Sequence, residues 1–223
     1  MAGSAMKEVH EYKDYALHEY LSPQYIYNMR PNKTTSGMYM RDLMKILSKY
    51  GVCKETTYPY TTTMTITKAI TSEANKFRIK GYASISTIDG LKASLYSNGP
   101  AVIAVPVYNK SNTLWDQQPG ELLQGGHAMA VVGYDATGFI IRNSWGTTWG
   151  NDGYTIFPYT HWGKQWEIWT TVDILTGPEK TTTTKSNTAL SVIGKAIKRF
   201  FGVRGSFVVN SSECIKVPRA KRD

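Results

Sequence analysis

His127 and Asn143 are the residues of this chain best placed to do chemistry together. The histidine stands in Gly125-Gly126-His127-Ala128-Met129-Ala130-Val131-Val132-Gly133-Tyr134, and the asparagine in Arg142-Asn143-Ser144-Trp145-Gly146. A histidine whose ring is oriented by an amide suits the base half of a site built around a cysteine nucleophile. The chain has 2 cysteines, Cys53 and Cys214. Cys53 follows Gly51 at the end of a helical stretch, where the helix dipole disfavours a thiolate. It reads instead as a small buried apolar residue. Cys214 lies in a basic segment outside the motif region, so neither cysteine is placed to be activated.

The histidine and asparagine need a hairpin to meet. Met129–Tyr134 and Gly138–Arg142 both read as apolar strands, separated by Asp135-Ala136-Thr137. A three-residue loop there pairs Tyr134 with Gly138 and sets Met129 opposite Asn143. Because side chains alternate along a strand, His127 then lies on the face of Asn143, one diagonal step away. A two-residue loop would slip the register by one and part them.

The other elements are read from period and punctuation. Residues 2–20 form a helix, with Ala2, Ala5, Val9 and Tyr12 at helical spacing. Ser22 caps a second helix with Pro23 in its first turn, and Pro31-Asn32 ends it. A third helix covers about 38–50, with Met40, Leu43, Met44 and Leu47 on one face and Gly51 as its stop. Thr57-Tyr58-Pro59-Tyr60 crosses as an extended segment, residues 65–77 add a short helix, and Ile88–Leu95 is a further helix closed by Asn98-Gly99-Pro100. Ala101–Val107 and Gly153–Phe157 are strands. Helices first and strands afterwards give an α+β chain of two lobes.

Taken together, Gly125-Gly126-His127-Ala128 with Val132-Gly133-Tyr134, then Arg142-Asn143-Ser144-Trp145-Gly146-Thr147-Thr148-Trp149-Gly150 and Gly153-Tyr154, resemble the papain-like cysteine peptidases. Leu21-Ser22-Pro23-Gln24, Gly51-Val52-Cys53-Lys54-Glu55 with Tyr58-Pro59-Tyr60, and Gly99-Pro100 extend the likeness over about residues 1–160, in family order. The resemblance implies the papain-like two-lobe α+β fold. Its helical left lobe is expected over 1–85, its β-barrel-like right lobe carrying His127 and Asn143 over 86–176, and a basic tail over 177–223. It implies that His127 is the base paired with a thiolate, that Asn143 holds the ring in its productive tautomer, and that Trp145 keeps water off their hydrogen bond. Gly126 and its neighbours let the backbone pack close to the indoles.

The family sets its cysteine at the N-terminal end of the central helix, whose body residues 2–12 resemble. Counting back from Leu21-Ser22-Pro23-Gln24, that position falls just ahead of Met1, and the oxyanion glutamine falls further ahead. The expectation is therefore a peptide-bond hydrolase whose N-terminal segment is cut short. The alternative is an inactive papain-fold protein kept for binding or structure.

Composition bounds the rest. With 223 residues, 41% of them hydrophobic, the chain is of globular type, and no apolar run is long enough to span a membrane. The formal net charge is +9, but residues 178–223 hold ten Lys/Arg against three acids and the remainder sixteen against fourteen. A nucleic-acid role thus has only the tail behind it. In that tail Leu190, Ile193, Ile197, Phe200 and Phe201 share one face of a cationic helix, suited to a membrane surface, a partner or the protein's own core. Two cysteines and no secretory leader point to a reducing, cytosolic compartment. Asn32, Asn109 and Asn210 head glycosylation triplets that mean little without such a route. His10, His18 and His161 show no ligand spacing, so no metal and no cofactor are expected. Proteins or peptides are the expected substrates, and no oligomeric state is legible.

Overall fold

α1, Ala2–Tyr15, runs through the middle of the molecule and is buried on more than one side. The computed structural model describes residues 1–34 and 36–173, so the basic tail and the amphipathic helix expected in it lie outside the described residues. Met6, Lys7, His10 and Glu11 are all buried, so α1 carries no simple polar face. Lys7 and Glu11, one turn apart, bond to each other inside the protein, as buried charges must. The helix stops five residues before the expected end. Ala16 turns left-handed at φ 54, and the N–H groups of Ala16 and Leu17 close back onto Tyr12 and Glu11. No glycine marks this stop, and an alanine there costs about 1–2 kcal/mol, so the stop leaves no mark in the residue pattern.

α2, Pro23–Asn28, begins as expected, with Ser22 Oγ accepting from the Tyr25 N–H and Pro23 in the first turn. α3, Met40–Lys49, buries Met40, Leu43, Met44, Ile46 and Leu47. It ends where Gly51 takes φ 76, and a Cβ on Gly51 would stand 2.0 Å from the Ala74 carbonyl oxygen. α4 is Lys68–Ala74 and α5 is Ile88–Ser97, both capped by threonine side chains.

The strands are β1, Ile79–Ser84; β2, Ala101–Val107; β3, Gly125–Tyr134; β4, Gly138–Arg142; β5, Tyr154–Pro158; and β6, Glu167–Asp173. They form one antiparallel sheet in the order β1-β6-β2-β3-β4-β5. β6 was not legible as a strand. It is inserted between β1 and β2, so the sheet takes its first strand from ahead of residue 86.

Alternation along β2 divides two cores. Val102 and Ala104 join Met6, Tyr25, Met44, Leu47 and Tyr58 beneath the helices. Ile103 and Val105 join Trp115, Met129, Val131, Phe139 and Phe157 on the other side. The architecture is α+β, with helices packed on a six-stranded antiparallel sheet.

Candidate active site

The hairpin that carries the site reaches the expected pairing by a different route. Tyr134 pairs with Phe139 and Gly133 with Ile140, one residue off the register of a three-residue loop. Asp135 organises the longer turn, its Oδ1 accepting from the Thr137 N–H at 2.7 Å, the Thr137 hydroxyl at 2.7 Å and the Gly138 N–H at 3.1 Å. A bulge between Val131 and Gly133 then absorbs the extra residue. Beyond it Val131 pairs with Ile141 and Ala130 with Arg142. Ala130 opposite Arg142 is the register expected at that point of the hairpin.

His127 Nε2 and Asn143 Oδ1 are 2.7 Å apart. The Ser144 N–H donates to the same Oδ1, also at 2.7 Å. A backbone N–H can only donate, so the atom facing it is the amide oxygen. His127 Nε2 must therefore carry the hydrogen, which leaves a lone pair on Nδ1 of the neutral ring. Asn143 is 6% exposed, and its own N–H donates to the Gly153 carbonyl at 2.9 Å.

Burial is the largest influence on His127 and pushes its pKa down. The bond to Asn143 pulls the other way, and the amino group of Met1 adds a smaller lowering. That charge is felt because the head of α1 adjoins the pair. Met1, Ala2, Ala128 and Asn143 share the wall of one cavity.

Trp145 lies across the imidazole, ring centroids 4.8 Å apart and planes inclined by 33°. It meets Trp149 edge-on at 5.8 Å, and the Trp149 indole N–H is tied to the Lys110 carbonyl at 3.1 Å. Gly126 makes its close approach to another indole. A Cβ there would stand 2.3 Å from Trp166, a half-exposed residue outside the recognised motifs. No sequence signal tied Trp166 to the site, because the contact depends on β6 lying beside β2.

The remaining candidates lie elsewhere. Cys53 is buried in the helical core, where burial and then the Glu73 charge push its thiol up to about 12. Cys214 lies outside the described residues. His10 bonds to Thr171 at 3.1 Å, His18 stacks edge-on with Tyr12, and His161 accepts from the Trp115 indole N–H at 3.0 Å.

The sequence model described as papain family cysteine protease matches residues 2–174. Papain of Carica papaya is 29% identical over 154 residues, covering 62% of this chain and 41% of that protein. Human cathepsin O is 30% identical over 115 residues, covering 45% of this chain and 34% of that one. The chain thus spans less than half the length of these curated relatives. Among solved structures, xylellain, a cysteine protease from Xylella fastidiosa, is 28% identical with a TM-score of 0.69, covering 78% of each chain.

Proposed function

Because the chain belongs to the papain family of cysteine proteases, we propose that it hydrolyses peptide bonds through a cysteine, histidine and asparagine site. In this reading His127 is the base, Asn143 is its orienter, and proteins or peptides are the substrates. The observation that carries it is the 2.7 Å bond from His127 Nε2–H to Asn143 Oδ1 beside the head of α1. With Nε2 committed, Nδ1 is the nitrogen that takes and returns the proton. Imidazolium beside sulfur keeps a thiolate at neutral pH, and a helix N-terminus adds to that effect. The thiolate attacks the substrate carbonyl carbon, and Nδ1–H protonates the departing amine. Water then hydrolyses the thioester, with His127 again as base. Trp145 shields the Nε2–H bond from water, and Gly126 makes room for Trp166 at the edge of the site.

The sulfur of this site belongs at the head of α1, ahead of Ala2, and the oxyanion glutamine ahead of that. Cys53 is unsuited, being buried with its thiol raised to about 12. A thiol-directed covalent peptidase inhibitor applied to the protein as the cell makes it should label a cysteine other than Cys53 and Cys214. Absence of labelling, or labelling confined to Cys53, would overturn the reading. The burial of Cys53 also favours a second reading, a papain fold kept for binding without turnover. Peptide cleavage that disappears with His127→Ala would exclude it.

A further inference from the structure

Asn143 Nδ2 is buried and has no hydrogen-bond partner among the described residues, while its Oδ1 serves both His127 and Ser144. A buried N–H donor left unmade is unfavourable, so its partner has to be accounted for. Asn143 and Ser144 line a cavity of about 40 Å³ between the head of α1, β3 and the end of β4. A water needs roughly 10–15 Å³ of such space and two or more polar partners.

The polar groups around this cavity are few. Ser4 gives its hydroxyl hydrogen to the Met1 carbonyl at 2.8 Å. Glu8 accepts from the Leu21 N–H through Oε1 at 3.0 Å, and its Oε2 stands 3.9 Å from Arg142 Nη1. Tyr20 and Arg142 complete the set. Among the described residues lining this wall, Glu8 supplies the carboxylate.

We propose that a water held in this cavity accepts from Asn143 Nδ2–H and donates to the Glu8 carboxylate, making Glu8 a positioning residue for His127. The inference rests on the reading of His127 and Asn143 as base and orienter. A carboxylate at the nitrogen end of the amide polarises it and makes Oδ1 a stronger acceptor for Nε2–H. The gain is largest when the ring is imidazolium, because that donor is charged. Arg142 holds the carboxylate in place and offsets part of its charge. The Met1 amino group opposes imidazolium from the α1 side, and Tyr20 lines the same cavity. Lys7 and Glu11, further along α1, are committed to each other.

NMR titration of the His127 ring in the 1–223 chain tests this without needing turnover. Glu8→Gln should lower the His127 pKa by about half a unit or more, and Glu8→Asp should restore most of it. In an Asn143→Ala background, Glu8→Gln should add nothing, because the link is already cut. Ala5→Leu, which fills the cavity with Glu8 intact, should give the same lowering and serves if Glu8→Gln does not fold. An unmoved His127 in Glu8→Gln and Ala5→Leu, with Asn143→Ala still shifting it, would overturn this inference and leave the base and orienter standing. Equal shifts from Glu8→Gln with and without Asn143 would also overturn it, since Glu8 would then act through space. If Asn143→Ala itself shifts nothing, the pairing on which the inference rests is what fails.

Discussion

Ser144 contributes to the site through its backbone N–H. Its N–H fixes which end of the Asn143 amide faces His127, and so which ring nitrogen is committed. The sequence carried the residue types and their spacing of 16, but not this second donor, because backbone amides leave no trace in side-chain patterns. Cys53 was readable for the opposite reason. A small thiol after a glycine-terminated helix belongs to the core whatever the family. With its thiol raised to about 12, native Cys53 should resist iodoacetamide at pH 8 and react once the chain is unfolded. Mass spectrometry of the peptide carrying Cys53 checks this, and equal alkylation in the native and unfolded protein would contradict it.

At the scale of elements, the hairpin shows how a partly mistaken path can end at the right register. The three-residue turn expected from Asp135-Ala136-Thr137 is not formed, and the bulge near Val132 compensates. Strand alternation was legible in the apolar pattern, whereas a bulge follows from cross-strand twist and packing. Asp135 bears most of the turn, accepting three hydrogen bonds through one oxygen. Asp135→Ala should therefore cost about 1–2 kcal/mol in urea unfolding, a cap-like loss. Asp135→Asn, which keeps the acceptor, should recover more than half. A neutral Asp135→Ala would mean that the bulge alone sets the register. The unforeseen end of α1 has a similar origin, since Ala16 adopts a left-handed turn that tertiary packing imposes.

On the scale of the whole molecule, the sheet stands between two cores and α1 passes beneath it, head toward His127. The order of helices before strands was enough to suggest α+β with two lobes. It could not reveal that β6 returns between β1 and β2, because such pairing is non-local and leaves no periodic mark. The same burial that builds these cores depresses the pKa of His127. The unfolded chain takes up its proton near pH 6.5, while the folded chain resists it until lower pH. The folded state therefore loses stability as the pH falls from about 6.5 to the folded-state value, and no further below that. His127→Gln should flatten this segment of the urea midpoint against pH relative to wild type. A parallel pair of curves would contradict the depressed pKa.

The most direct test of the central claim is peptide cleavage by the protein as the cell makes it, compared with its His127→Ala and Asn143→Ala variants. If His127 is the base, its loss lowers kcat/KM by about 10²–10⁴-fold. If Asn143 only orients the ring, its loss costs on the order of 10²-fold or less. Cleavage that survives His127→Ala at the wild-type rate would contradict the account.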